Sequence, residues 1–161
     1  MITTTVQAQR PPQPMVNNMG RGINVGNVLS APVEGNWPTA LAETYIQDIA
    51  SVGFTTVRIP MDFFGTRTSG DTSIYSKNAG TAGSYTGSSS DYVVNATYLD
   101  RVEQVITWAL DQGLVTILDV HGATLKTEFI ETFDDTEPVY TNPSSAKRAA
   151  DNEKFRAIWT Q

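Results

Sequence analysis

The chain has 161 residues, of which 40% are hydrophobic and 17% charged, and these values are ordinary for one globular domain. Its net charge of −6 and its lack of a basic patch argue against a nucleic-acid partner. The chain has no cysteine to form a disulfide or a thiolate metal site, and no run of apolar residues long enough to span a membrane.

The N-terminal residues predict a polar lead-in over residues 1–19, ahead of one domain over residues 20–161. Residues 1–14 lack the apolar core of a signal peptide, so secretion is expected only if a signal has already been removed. The Gly-punctuated segment 20–27 predicts a first strand that runs into a loop. A helix is then predicted between Pro38 and Gly53. Its apolar face should be Leu41, Tyr45, Ile49 and Val52.

The middle of the chain predicts a strand, a long loop and a second helix. Residues 54–59 are rich in β-formers and end at Pro60, as a second strand would. The Gly/Ser/Thr-rich segment 65–91 predicts a long loop, interpreted as a mobile insertion. Asn95 is placed to cap a helix that ends at Gly113. Its apolar face should be Leu99, Val102, Ile106, Ala109 and Leu110.

The last part of the chain predicts a third strand and a third helix. Residues 114–120 are nearly all apolar, which is typical of a parallel strand buried on both faces. A polar loop follows to about Pro143, and a helix should begin at Ser144 or Ser145. This helix carries Phe155, Ile158 and Trp159, and we expect Trp159 in the core. The resulting β-α-β-α-β-α order favours an α/β fold with a parallel sheet.

Two polar residues at strand ends are candidates for chemistry. Arg58 lies at the C-terminal end of the second strand, where parallel α/β proteins place their sites. It could form a structural ion pair or could orient a catalytic carboxylate through its planar fork of donors. His121, the only histidine, shares a strand face with Asp119. An Asp-x-His pair could also bind a metal, although without a second histidine or a cysteine we expect no metal site.

Three further residues are candidates for substrate binding. Asn24 and Asn27 flank the end of the first strand, where they could serve the turn or bind sugar hydroxyls. Trp37 could stack on a sugar ring or could pack within its own loop.

Four segments, in this order and spacing, resemble the endoglucanases and mannanases of glycoside hydrolase family 5. They are Gly22-Ile23-Asn24-Val25-Gly26-Asn27-Val28-Leu29 with Glu34-Gly35-Asn36-Trp37, Gly53-Phe54-Thr55-Thr56-Val57-Arg58-Ile59-Pro60, Leu118-Asp119-Val120-His121-Gly122, and Phe155-Arg156-Ala157-Ile158-Trp159. The resemblance covers roughly residues 20–161, interrupted by the loop 65–91.

This resemblance implies a (β/α)8 TIM barrel and a retaining mechanism. In the family, the acid/base Glu follows the fourth strand and the nucleophile Glu follows the seventh, and retaining chemistry holds the two carboxyls about 5–5.5 Å apart. A whole barrel needs about 250 residues. We therefore expect a partial barrel of about three βα units with an incomplete parallel sheet. We expect neither catalytic Glu in this chain.

The resemblance also implies roles for individual residues. Arg58 matches the arginine that hydrogen-bonds the nucleophile, and His121 matches a histidine that binds sugar near the cleavage point. Asn27 matches a substrate-side polar residue of the first loop. Gly122 departs from the pattern, because many relatives carry a second histidine or an aromatic residue there. Four local carboxylates are not expected to replace the missing pair: Glu34, Asp62, Asp119 and Glu128.

The expected function is therefore hydrolysis of β-1,4-glucan, with no cofactor, outside the cell, and only after completion by other chains. The sequence does not choose between glucan, mannan and xylan. The open edges of a three-stranded sheet would favour a homo-oligomer. Two alternatives stay open: a non-catalytic carbohydrate-binding or self-assembling remnant of the barrel, and a metal-dependent α/β hydrolase that uses Asp119 and His121.

Overall fold

A computed structural model of the protein describes residues 13–37, 39–75, 85–125, 128 and 145–161. Within them the helices are α1 (Gln13–Met19), α2 (Glu43–Ser51), α3 (Ala96–Asp111) and α4 (Ser145–Thr160). The strands are β1 (Gly22–Asn24), β2 (Thr56–Met61) and β3 (Val115–Val120). Short 3-10 turns lie at Gly65–Arg67, Thr72–Tyr75 and Ser89–Asp91. No helix in the described part of the chain is long and apolar enough to cross a membrane.

The three strands form one parallel sheet in the order β1-β2-β3, which confirms the predicted α/β class. Asn24 of β1 pairs with Arg58 of β2, and Arg58 pairs with Ile117 of β3. Three strands in this order leave the outer edges of β1 and β3 apart, so the described sheet is not closed. Residues 13–19 of the predicted lead-in are helical and contain no buried residue.

The two faces of the sheet differ sharply in exposure. Val57, Ile59 and Met61 of β2 are almost fully buried and share one core with α2 and α3. Alternation puts Arg58 and Ile117 on the other face, where Ile117 is 37% exposed. The prediction that the third strand is buried on both faces is therefore wrong. The other face is only partly accessible, around Arg58 and along β3, because Thr56 and Pro60 on that face of β2 are also buried.

Sequence periodicity predicted α2 and α3 but misplaced parts of their faces. In α2, Ile46 and Ile49 are buried, whereas Tyr45 and Val52 are exposed. Leu41 is buried as predicted, but it precedes the helix, which begins at Glu43; Pro38 lies outside the described residues.

The α3 helix begins and ends where the sequence places it. The side chain of Asn95 accepts a hydrogen bond of 3.0 Å from the Tyr98 N–H, which confirms the predicted cap. Gly113 follows the helix with φ of +71°, as a stop at this position requires. The prediction is wrong for Leu110, which is exposed, because the buried face of α3 runs through Val102, Val105 and Ala109, and Leu110 lies to one side of it.

The α4 helix packs against the 3-10 turns at Thr72–Tyr75 and Ser89–Asp91, and it buries other residues than expected. Ile158 is buried in the common core, whereas Trp159 is 49% exposed, so the prediction that Trp159 is a core residue is wrong. Besides alanines, α4 also buries two lysines, Lys147 and Lys154, which are 1% and 0% exposed.

These two lysines attach α4 to the start of the long loop. Lys154 Nζ contacts Glu128 Oε1 and donates 2.8 Å to the Gly70 carbonyl. Lys147 Nζ lies 2.6 Å from Asp151 Oδ1 and 3.2 Å from Thr72 Oγ1. Burial raises the pKa of Asp151 to about 6, against the opposing effect of Lys147.

The loop 65–91 contacts the domain in its described parts. Thr68 forms an antiparallel bridge with Val94, and the Ser69 N–H donates 2.9 Å to the Val93 carbonyl. Thr68 and Thr72 are buried. Residues 65–75 therefore contact the rest of the domain, and residues 76–84 lie outside the described part; the mobility of the loop stays a prediction.

Candidate functional site

Four polar side chains meet toward the C-terminal ends of the strands, on the accessible side of the sheet. β2 runs on through Pro60 to Met61, so Arg58 is the third of its six residues and not its end, as the sequence had suggested. We call them the strand-end quartet: Asn24, Arg58, Asp119 and His121. Arg58 Nη1 donates to Asn24 Oδ1 at 2.6 Å, and Arg58 Nη2 pairs with Asp119 Oδ2. Strand register explains the first contact, because Asn24 and Arg58 are direct partners in the β1–β2 pair.

Arg58 is half-exposed rather than buried. Its side chain is 36% accessible and that of Asp119 is 32% accessible. The ion pair considered from sequence exists, but it does not carry the large desolvation cost of a buried pair. The guanidinium has five N–H donors, so it can serve Asn24 and Asp119 and still bind another acceptor.

His121 extends the quartet toward solvent. Its side chain is 53% exposed, and Nδ1 lies 3.4 Å from Asp119 Oδ2. The His121 N–H donates to the Met61 carbonyl, which carries the β2–β3 pairing one residue beyond the strand. The imidazole is therefore fixed at its backbone and accessible at its ring, as a group that contacts substrate should be.

The quartet is poorly suited to a metal ion. Asp119 Oδ2 is the oxygen closest to His121, and the same oxygen already pairs with the Arg58 guanidinium. A divalent cation there would face a fixed positive charge. Across the described ranges, no group of three or more His, Cys, Asp or Glu residues could hold a metal ion.

Trp37 and Asn27 lie in the loop after β1. Trp37 is 55% exposed, so packing within its loop does not account for it. It lines a pocket of about 110 Å³ whose other walls come from the loops after β1, β2 and β3: Ser30, Pro32, Asp62, Phe64, Thr66, Arg67, Ala123 and Thr124. Asn27 is exposed, and its carbonyl accepts a hydrogen bond of 3.1 Å from the Ala31 N–H, as a turn residue does.

Sequence reasoning missed Arg67, which ties two of these loops together. Its Nη1 donates 3.0 Å to both the Leu29 and the Asp62 carbonyls, and its Nη2 donates to the carbonyls of Ala31 and Pro32. A basic residue three positions after the Phe63-Phe64 pair in a Gly/Ser/Thr-rich segment was the only signal for it.

Tyr98 of α3 completes this connection. The guanidinium of Arg67 stacks 4.1 Å from its ring, and its hydroxyl donates 2.7 Å to the Leu29 carbonyl. Burial raises the pKa of Tyr98 to about 12, which keeps the hydroxyl protonated as a donor. The loop that carries Asn27 and Trp37 is therefore held by contacts to β2 and α3.

The four local carboxylates each have a structural partner. Glu34 forms a two-pronged pair with Arg101 at 2.8 and 2.9 Å, and Arg101 holds the Glu34 pKa below its usual value. Glu128 pairs with Lys154, and Asp119 pairs with Arg58. The buried Asp62 accepts hydrogen bonds from backbone N–H groups. Their positions do not form an acid and nucleophile pair beside the quartet.

Asp62 also explains why residue 122 is glycine. A Cβ on Gly122 would lie 1.9 Å from Asp62 Oδ2 and 2.2 Å from its Cγ. The same carboxylate accepts from the Phe64 and Thr124 N–H groups at 3.2 and 3.3 Å. The space next to His121 is therefore filled by the Asp62 side chain, which leaves no room for a second histidine or an aromatic residue at position 122.

Comparison with known proteins identifies the family. A profile described as "Cellulase (glycosyl hydrolase family 5)" matches residues 17–161. Endoglucanase H of Acetivibrio thermocellus is 36% identical over 110 residues, which are 68% of this chain and 10% of that protein. Endoglucanase A of Paenibacillus barcinonensis is 28% identical over 150 residues, or 89% of this chain and 30% of that protein.

Solved structures agree with this result. Cel5A of Thermotoga maritima, solved with cellobiose, superposes with a TM-score of 0.58 at 26% identity, over 94% of this chain and 37% of that one. A Bacillus licheniformis endo-β-1,4-glucanase solved with cellotetraose gives 0.51 at 28% identity, over 67% of this chain and 18% of that one. The unclosed three-stranded sheet thus matches part of the family's TIM barrel, and the chain spans only about a tenth to two-fifths of these relatives. The chain belongs to glycosyl hydrolase family 5.

Proposed function

We propose that this chain is part of an endoglucanase that hydrolyses β-1,4-glucan. It provides part of the substrate-binding surface and the arginine that orients the nucleophile. One observation supports this most strongly. The quartet side chains lie together toward the C-terminal ends of the strands, on an accessible surface. There the Arg58 guanidinium and the exposed His121 imidazole both approach Asp119 Oδ2. In TIM-barrel enzymes, active sites lie at this end of the strands.

Each quartet residue has a distinct role in the proposal. Arg58 orients the nucleophile carboxylate, because its donors not used by Asn24 and Asp119 can bind a further acceptor. His121 hydrogen-bonds a sugar hydroxyl near the cleavage point. Asn24 fixes the arginine and presents the remaining capacity of its amide to substrate.

The loop after β1 supplies the second part of the proposed binding surface. Trp37 offers an exposed indole on which a neutral sugar ring can stack. Asn27 is the less supported of the two, because its observed contact is a turn contact. Both lie on a loop that Arg67 and Tyr98 hold in place.

The acid/base and the nucleophile are supplied, in this proposal, by polypeptide other than these 161 residues. The support is that Glu34, Asp62, Asp119 and Glu128 are each engaged elsewhere. The outer edges of β1 and β3 are the surfaces through which completing strands, including those of a second copy of this chain, would pair.

The proposed substrate is glucan rather than mannan or xylan, and the proposed setting is extracellular. The support for glucan comes from relatives named endoglucanases, one of them a xyloglucan-specific endo-β-1,4-glucanase of Bacteroides ovatus that is 27% identical over 157 residues. A polymeric substrate of this kind is met outside the cell, which supports the setting.

Calorimetric titration with cellotetraose and mannotetraose tests the proposal, together with reducing-sugar release from carboxymethyl cellulose. We expect cellotetraose to bind more tightly than mannotetraose, and His121→Ala and Arg58→Ala to weaken that binding. Asp111→Asn, at an exposed position on α3, is the matched control and should bind like the unchanged chain. If none of these proteins binds cellotetraose, or if all bind equally, the assigned surface is wrong.

A second candidate is a non-catalytic carbohydrate-binding protein, which the engaged carboxylates favour. It predicts the same binding pattern, with no reducing-sugar release even when the chain is mixed with polypeptide that carries the remaining strands of a family 5 barrel. Release from such a mixture, lost in the Arg58→Ala variant, would support the enzyme instead.

A further inference from the structure

We infer that Asp119 is a positioning residue that fixes the tautomer of His121. The carboxylate holds the imidazole proton on Nδ1, so that Nε2 faces the substrate side as a hydrogen-bond acceptor. The functional part of this inference rests on the proposed glucan-binding role of the quartet. The structural part does not.

The geometry identifies the nitrogen that faces the charge. Asp119 Oδ2 lies 3.4 Å from His121 Nδ1, which is within ion-pair range, and the two atoms do not form a hydrogen bond. A neutral imidazole has one N–H and one nitrogen lone pair. An N–H directed at a carboxylate is attracted to it, whereas a lone pair in the same place is repelled, so the Nδ1–H form is favoured.

The position of Asp119 is itself well fixed. The Arg58 guanidinium binds the same Oδ2, and Arg58 is held from its other side by Asn24 at 2.6 Å. Asp119 also sits on β3, in register with Pro60 of the central strand. A carboxylate restrained in this way holds its charge at one point beside the ring, as the carboxylates that orient histidines in metal and catalytic sites do.

The consequence for binding is directional. With the proton on Nδ1, the Nε2 atom lies on the ring edge away from Asp119, on a side chain that is 53% exposed. A sugar hydroxyl then donates to Nε2 and can accept from another donor with its own oxygen. Asp119 thus has two roles. Its Oδ2 orients the Arg58 guanidinium, and it also determines whether His121 accepts or donates the hydrogen bond to a sugar hydroxyl.

A long-range ¹H–¹⁵N correlation spectrum tests this directly. His121 is the only histidine of the chain, so its ring nitrogens give the only imidazole signals. Spectra recorded at about pH 9, well above the ordinary pKa of histidine, distinguish the two neutral tautomers by which ring nitrogen carries the proton. We expect Nδ1 to be the protonated nitrogen in most molecules, and Asp119→Ala to shift the population toward Nε2–H by at least about threefold.

Two controls separate positioning from a general structural effect. Asp111→Asn removes an exposed carboxylate from α3 and should leave the spectrum unchanged. Arg58→Met removes one restraint on Asp119 but keeps its charge on β3 next to the ring, so Nδ1–H should stay the major form. If Asp119→Ala does not fold, the unchanged chain is itself decisive, because a predominant Nε2–H form there would overturn the inference. An unshifted tautomer population in a folded Asp119→Ala variant would overturn it equally.

The functional part has its own readout. Addition of cellotetraose should shift the Nε2 signal more than the Nδ1 signal. If cellotetraose binds in the calorimeter but Nε2 does not respond, the assigned acceptor role fails while the glucan-binding proposal stands. If cellotetraose does not bind at all, the proposed function fails while the tautomer result still decides the role of Asp119.

Discussion

The packing of Asp62 against Gly122 predicts a large cost for adding one methyl group. Gly122→Ala would place its Cβ 1.9 Å from Asp62 Oδ2, so the carboxylate must move. Overpacking of this kind costs about 1–3 kcal/mol. Displacement of a buried carboxylate from its two backbone donors adds about 1–3 kcal/mol. We therefore expect the free energy of unfolding to fall by roughly 2–6 kcal/mol.

Urea unfolding followed by tryptophan fluorescence measures this change. For a urea slope of about 2 kcal/mol per molar, the midpoint should fall by roughly 1–3 M. Gly22→Ala is the matched control, because the atom nearest to its added Cβ lies at 3.6 Å, an ordinary contact distance. That variant should change stability by less than about 0.5 kcal/mol.

A double-mutant cycle isolates the contact between the two residues. All three atoms nearest to the added Cβ belong to the Asp62 side chain, so Asp62→Gly removes the overlap completely. The loss of unfolding free energy in the combined Asp62→Gly and Gly122→Ala variant should be smaller, by at least about 1 kcal/mol, than the sum of the losses in the two single variants. Costs that add within about 0.5 kcal/mol would refute the reasoning, because two residues in steric conflict cannot act independently.

Three further predictions concern the ionic contacts. Lys154→Met should lower the free energy of unfolding, measured by thermal denaturation, by about 3–5 kcal/mol, because it leaves the Glu128 charge buried without its partner. The double variant with Glu128→Gln should recover much of this loss. The folded-state pKa of Asp151, about 6, lies above its ordinary value. This group therefore stabilises the fold at low pH, and its contribution is lost as the pH rises through about 6. Asp151→Asn should flatten the pH dependence of the urea midpoint in this window. The lowered pKa of Glu34 has the opposite sign, so its contribution is present at neutral pH and lost on acidification, and Arg101→Met should abolish that loss in urea titrations at pH 7 and pH 4.

Local sequence signals were sufficient for the secondary structure and for part of the site. Alternation and periodicity located three strands and their helices, and Asn95 caps α3 because a side-chain cap depends only on residues three positions apart. Arg58 was identifiable as a charged residue inside an apolar strand, and His121 because it directly follows one. The helix face of α2 was misassigned because Tyr45 and Ile46 are both apolar neighbours, and only tertiary packing decides which of them is buried.

The remaining features depend on contacts between distant segments. Lys154 reaches Gly70 across 84 positions, and Arg67 reaches Leu29 across 38. A lysine on a helix is usually solvated, so the residues around Lys154 in the sequence do not indicate that it will be buried. Likewise Asn24, rather than Asn27, binds Arg58 because of strand register, which spacing within the first segment does not reveal.

The central claim is that the exposed face of the sheet, at the ends of its strands, binds β-1,4-glucan. The most direct measurement is a map of backbone amide chemical-shift changes on addition of cellotetraose. We predict that the largest changes cluster at Asn24, Arg58, Asp119 and His121 and extend toward Trp37. Changes confined to the helices on the opposite face, or no saturable change at the quartet, would contradict this claim.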